Sequence, residues 1–94
     1  MRIFDIQLTE TAIGELDLLP ENHRRKILQD IKTLSSNPFL FGSHIKKLRG
    51  FKPPLYRLRS EDYRVLYRVQ SNIVTIMRVI DRKVLERIIK RIKL

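Results

Sequence analysis

The chain has no cysteine and no tryptophan, and only three glycines and two histidines among 94 residues. Without cysteine, disulfides and thiolate metal sites are excluded. His23 and His44 stand far apart and are too few to hold a metal of their own. No apolar run approaches the roughly 18 residues that span a bilayer. The opening MRIFDIQLTE carries acids where a signal peptide would be apolar. These absences lead to the expectation of a soluble, cytoplasmic protein with no metal, no cofactor and no membrane partner.

Acidic residues are also scarce, and unevenly so. Residues 1–44 carry five Lys/Arg and six Asp/Glu, whereas residues 45–94 carry fifteen and four. The net charge of +10 therefore belongs to the second half. Such asymmetry is the footprint of a polyanion binder. Nucleic acid, an acidic protein segment and an anionic membrane surface all fit at this level. The length suits a single domain over 1–94 with a modest core. A composition of 43% apolar and 32% charged residues suits a folded chain.

The elements follow from periodicity. Phe4, Ile6 and Leu8 alternate with polar residues, which predicts a strand over Met1–Leu8. Thr9 is a candidate N-cap for a helix with Ala12, Ile13, Leu16 and Leu19 on one face. A second helix follows Pro20, with Ile27, Ile31 and Leu34 as its buried stripe. It ends at Ser35–Pro38, because Pro38 pushes Asn37 out of the helical region. The tight join predicts a helical hairpin. Phe39–Pro54, with Gly42, Gly50, Pro53 and Pro54, reads as a loop. Leu55–Ser60, Tyr63–Gln70 and Ile73–Ile80 read as three antiparallel strands joined by two-residue turns. Asp81 is a candidate N-cap for a last helix over Arg82–Leu94, striped by Val84, Leu85, Ile88, Ile89 and Ile92. Strand, two helices, three strands and a helix make an α+β domain.

Alternation then sorts the side chains. Tyr56, Leu58, Tyr63, Val65, Tyr67 and Val69, with Ile73, Thr75, Met77 and Val79, are expected to face the helices. The opposite face gathers Arg57, Arg59, Arg64, Arg68 and Arg78, interleaved with Leu66, Val74, Ile76 and Ile80. Like charges on neighbouring strands repel, so folding gains nothing from this clustering. A bound polyanion would favour it, since the arginine fork bonds phosphate with two parallel hydrogen bonds. The interleaved apolar residues could hold bases or the apolar side of a partner helix. In the basic loop, which also carries Lys52, Lys46, Lys47 and Arg49 are expected to steer a polyanion without reading sequence. His44 could titrate near neutral pH there. Glu61 and Asp62 fill a turn.

IKKLRG (45–50), LYRLRSEDYRVLYRV (55–69) and VTIMRVIDRKVLERI (74–88), in this order and at these spacings, resemble the RelE/ParE superfamily of bacterial and archaeal toxins. The resemblance covers nearly the whole chain. It implies a toxin of a type II toxin–antitoxin system, neutralised in a hetero-oligomer by a cognate antitoxin. In RelE-like members the target is mRNA on the ribosome. The ribose 2′-OH attacks the adjacent phosphate without a metal. ParE-like members instead poison DNA gyrase, and a non-nucleolytic toxin-fold binding protein stands beside that as an alternative. By this resemblance Arg64, Arg57, Arg82 and Lys83 occupy catalytic positions. Arg59 follows on the same strand as Arg57, and Arg68, Arg78, Lys46, Lys47, Arg49 and Lys52 complete the RNA-binding surface. Arg64 and Arg82 would clamp phosphate and stabilise transition-state charge. Arginine is a poor general base, which leaves Lys83 as the candidate and Lys52 as the second. The chain departs from RelE-like members at three places. Leu55 and Arg57 stand where two strand lysines are common, Glu86 where a tyrosine is common, and Asp81 where a histidine sometimes occurs.

Overall fold

The computed structural model describes residues 3–92. Met1 and Arg2 of the expected first strand, and Lys93 and Leu94 of the expected last helix, lie outside the described residues, as does the side chain of Ile92. The elements are β1 (Asp5–Leu8), α1 (Glu10–Asp17), α2 (Glu21–Thr33), β2 (Ile45–Leu48), β3 (Leu55–Ser60), β4 (Tyr63–Gln70), β5 (Ile73–Asp81) and α3 (Arg82–Ile92). One five-stranded sheet has the order β1-β5-β4-β3-β2. β1 runs parallel to β5, and the other pairs are antiparallel. The α+β class matches the expectation, and the element order does so apart from an added strand, β2, so the sheet is wider than three antiparallel strands.

Local chemistry accounts for the boundaries. Thr9 caps α1: its Oγ1 accepts from the Ala12 N–H at 3.1 Å and donates to the Met77 carbonyl at 3.1 Å. One hydroxyl thus starts the helix and ties it to the sheet. Asp81 caps α3 by accepting from the Lys83 and Val84 N–H groups at 2.9 and 3.1 Å. Both two-residue turns put their first residue in left-handed backbone, Glu61 at φ 53° and Ser71 at φ 55°, a region that favours glycine and asparagine.

Two layers of core result. On one sheet face, Ala12, Leu16, Ile27, Ile31 and Leu34 of the helical hairpin pack on Leu58, Val65, Tyr67, Val74 and Ile76. Tyr67 is fully buried, and its hydroxyl donates to the Pro38 carbonyl at 2.6 Å. On the other face, Leu85 of α3 packs with Leu55, Leu66 and Ile80, bordered by Leu48, Phe51, Ile88 and Ile89. An 11-residue helix is marginal alone, so this apolar strip is what holds α3. Each fully buried aliphatic side chain contributes about 1.5–3 kcal/mol. No described helix is long and apolar enough to cross a membrane.

Three expectations are corrected. Phe39–Pro54 is not all loop: Ile45–Leu48 pairs with β3 as an edge strand. Its apolar residues are three apart because Ile45 enters the hairpin core while Leu48 borders the α3 layer, and the lysines between them are exposed. Second, the β4–β5 register shifts between Leu66 and Tyr67, where Arg78 and Ile76 become consecutive partners. Met77 is the extra residue, and this bulge inverts the alternation. Val74 and Ile76, expected among the arginines, are therefore buried in the hairpin core. Third, Ile13, expected on one helix face with Ala12 and Leu16, is exposed while those two are buried.

Candidate nucleic-acid interface

Directly opposed residues share a sheet face, so the register places the basic side chains. One row reads Lys46, Arg57, Leu66, Arg78 across β2, β3, β4 and β5. The next reads Arg59, Arg64, Ile80 across β3, β4 and β5. α3 lies on this same face, on Leu66 and Ile80. The apolar residues interleaved with the arginines are thus covered by the chain's own last helix. The guanidinium groups remain beside the start of that helix.

Arg64 is the centre of the group. It is 8% exposed, and its Nη1 donates to the Glu61 and Tyr63 carbonyls, each at 2.9 Å. Its Nε and Nη2 have no protein partner among the described residues. Half of the fork is fixed by backbone carbonyls and half is not. Burial lowers the Arg64 pKa, and the positive charges of Arg57, Arg59 and Arg82 lower it further against the opposing pull of Asp62. Arg57 is also lowered, first by burial and then by Arg59. Its Nη1 donates to the His44 carbonyl at 3.0 Å and the Ser43 carbonyl at 3.4 Å. Four guanidinium groups therefore share one electrostatic neighbourhood.

The β3–β4 turn organises them. Glu61 and Tyr63 hold Arg64 through their carbonyls, and the Asp62 carbonyl accepts from the Arg82 N–H at 2.9 Å. The first N–H groups of α3 are thereby taken, Arg82 by Asp62 and the next two by Asp81. The helix start offers little to an anion, and attraction falls to side chains. The Arg82 side chain is exposed, with Nε 3.5 Å from a Glu86 carboxylate oxygen.

The other basic candidates are distributed more widely. Lys83 is exposed on the first turn of α3, next to Arg82. Lys46 is exposed beside Arg57, whereas Lys47 pairs with Tyr56 and so belongs to the opposite sheet face. Arg49 and Lys52 are exposed beyond the end of β2. Arg68 lies toward the far end of β4, opposite Thr75, with its Nε buried and unpartnered. Arg78 departs most from expectation. Glu15 of α1 grips it, with Nε at 3.0 Å and Nη2 at 2.8 Å from the same carboxylate oxygen. The second oxygen of Glu15 accepts from the Val79 N–H at 2.8 Å. Glu15 thus caps the β5 edge beyond the reach of β1, and the bond to Glu15 raises the Arg78 pKa. Arg78 joins α1 to β5 through its bidentate contact with Glu15. Neither Glu15 nor the carbonyl sockets of Arg64 were legible: an acid 63 residues away and a backbone oxygen leave no periodic signal. Among the described residues no group of three His, Asp or Glu side chains could hold a metal.

A second concave region lies elsewhere. An open cleft of about 920 Å³ runs between α2, the loop before β2 and the end of β3. Exposed Leu40 and Phe41 border it. At its wall the buried Ser60 Oγ donates to Asp30 at 2.6 Å, and Lys26 pairs with the other Asp30 oxygen at 3.0 Å. The Ser60–Asp30 bond fastens α2 to β3.

The family model described as the ParE toxin of the type II toxin–antitoxin system parDE matches residues 6–92. Solved structures are similar as well. The archaeal RelE–RelB complex from Pyrococcus horikoshii OT3 contains a chain 28% identical, with a TM-score of 0.73 over 87% of this chain and 97% of that one. The RelBE2 toxin–antitoxin complex of Mycobacterium tuberculosis gives 27% identity and a TM-score of 0.72 over 85% and 99%. The YoeB dimer of Staphylococcus aureus shares the fold at 21% identity and a TM-score of 0.68, over 85% and 97%. No curated protein sequence matches the chain.

Proposed function

We propose that this chain, which belongs to the ParE toxin family of type II toxin–antitoxin systems, acts as an endoribonuclease on ribosome-bound mRNA. The observation that carries this reading is Arg64, buried among three other guanidinium groups with half of its fork unpartnered. A phosphodiester fits there, and the extra negative charge of a phosphorane-like transition state fits better. In the proposed step the 2′-oxygen loses its proton and bonds to phosphorus, and the 5′-oxygen leaves and takes up a proton. The products are a 2′,3′-cyclic phosphate and a 5′-hydroxyl. Arg64 and Arg82 stabilise the charge, Arg57 and Arg59 orient the phosphate, and Lys83, beside Arg82, exchanges the proton. Lys46, Arg49 and Lys52 attract the RNA, as does Lys47 from the sheet edge.

A cognate antitoxin is the second partner in this reading. The similar chains from Pyrococcus horikoshii and Mycobacterium tuberculosis are in complexes with antitoxins, and the excess of +10 suits an acidic segment. A different target, DNA gyrase, is favoured by the ParE description of the matching family. The test is a defined mRNA on purified ribosomes. The wild-type protein should yield cyclic-phosphate ends within the message, and a combined Arg64→Ala and Arg82→Ala variant should not. Intact message together with inhibited supercoiling by gyrase would replace the first reading with the second.

A further inference from the structure

A small cavity of about 200 Å³ opens between the end of β2 and the underside of α3. Lys46, Lys47, Arg49 and Arg57 stand around it, and half-buried Leu48, Phe51 and Ile89 supply its apolar wall. No acidic residue lines it. The cavity is smaller than the roughly 300–1,000 Å³ clefts that take drug-sized ligands, so it suits one ring-sized group. Lys46 and Arg57 are direct cross-strand partners. Like charges so placed cost stability, and an anion between them would reverse that cost. Arg57 is also held in place, by its bond to the His44 carbonyl at 3.0 Å.

We propose that this cavity is a nucleotide subsite: it takes one RNA base against Phe51, Leu48 and Ile89, with that nucleotide's phosphate on Lys46 and Arg57. The proposal rests on the reading of the arginine face as an RNA site and names a place next to it. Arg57 belongs to both, so the bound base is a neighbour of the nucleotide whose phosphate meets Arg64. The chemistry of the wall explains the ligand class. A base has an apolar face for Phe51 and carries its own phosphate for the cations, and stacking on an aromatic ring is worth about 1–3 kcal/mol per base. An acidic peptide would satisfy the cations but has less use for a ring-sized cavity with an aromatic wall.

The test is an NMR titration of the full chain with a 2′-O-methylated RNA tetranucleotide, which binds but cannot be cleaved. The amides of Leu48, Phe51 and Ile89 should shift together with those of Arg57 and Arg64. Phe51→Leu keeps the cavity apolar and removes the aromatic face. It should weaken binding by about fivefold or more, the lower end of the stacking range. Lys46→Glu changes an exposed side chain and should weaken binding without lowering the urea midpoint. Shifts at Arg64 and Arg82 with none at Leu48, Phe51 and Ile89 would overturn the subsite while leaving the arginine site standing. The same holds if Phe51→Leu binds as wild type does. If only an acidic peptide from the antitoxin moves these amides, the cavity belongs to a protein partner and the proposal is wrong. Ribosome-bound mRNA left uncut, with the three amides still shifting, would remove the nuclease and keep the subsite.

Discussion

Replacing Arg64 with methionine separates what the guanidinium does for folding from what it does for a ligand. Methionine keeps the unbranched stem and its packing. The charge goes, and with it the repulsion from Arg57, Arg59 and Arg82. At a few tenths of a kcal/mol each, those three repulsions return about 1 kcal/mol, and losing the Asp62 attraction takes back about a third of it. Two hydrogen bonds, to the Glu61 and Tyr63 carbonyls, are lost. Glu61 is in an exposed turn where water can replace the donor, so their net loss is about 1–2 kcal/mol. The sum is a change of no more than about 1 kcal/mol. Urea titrations of both proteins should show it, at low salt and at about 1 M, where the screening length falls to roughly 3 Å. Salt should stabilise the wild type more than the variant. A loss above about 3 kcal/mol, the size seen when one partner of a buried ion pair is removed, would show that Arg64 is a structural keystone. Its burial would then say nothing about a ligand.

Other outcomes follow from single contacts. Tyr67→Phe removes the donor to the Pro38 carbonyl and should cost about 1–2 kcal/mol in urea. Burial, with Tyr56 adding to it, pushes the Tyr67 hydroxyl pKa well up, so the folded state holds its proton after the unfolded chain has lost it. The stability involved is intact below about pH 10 and falls above it, by up to about 1.4 kcal/mol per pH unit. The variant should lack that part of the alkaline loss. Glu15→Ala strips Arg78 and the Val79 N–H of their acceptor and should cost about 1–3 kcal/mol. RNA affinity should survive at temperatures where the variant is folded; a large loss there would return Arg78 to the RNA site. Glu61→Gly relieves a left-handed backbone and keeps the carbonyl that holds Arg64, so stability should hold or rise by up to about 1 kcal/mol. Activity should be unchanged, and its loss would mean that the Glu61 carboxylate takes part.

The legible parts of the molecule were those with a local cause. Thr9 and Asp81 are side-chain caps, and both act as caps. The 55–69 hairpin obeys alternation up to its turn, and the opposed pair of Arg59 and Arg64 was readable from it. β5 was readable as a strand, but its faces were not. Every residue from Ile73 to Ile80 except Thr75 and Arg78 is apolar, because both faces of this strand are covered, and a strand buried on both sides carries no alternation. The bulge at Met77 therefore left no trace in the pattern. β2 was hidden for a related reason, since its two apolar residues serve different faces. The identity of the helix that covers Leu66 and Ile80 was also open, because a stripe such as Val84–Ile89 fits its own sheet as well as a partner.

A short induced pulse of the wild-type protein in growing cells, followed by mapping of mRNA 5′ ends, bears most directly on the arginine face as a catalytic surface. New 5′ ends inside translated regions should appear with the wild type and vanish with Arg64→Met. Growth arrest with intact messages and an induced DNA-damage response would contradict the nuclease reading.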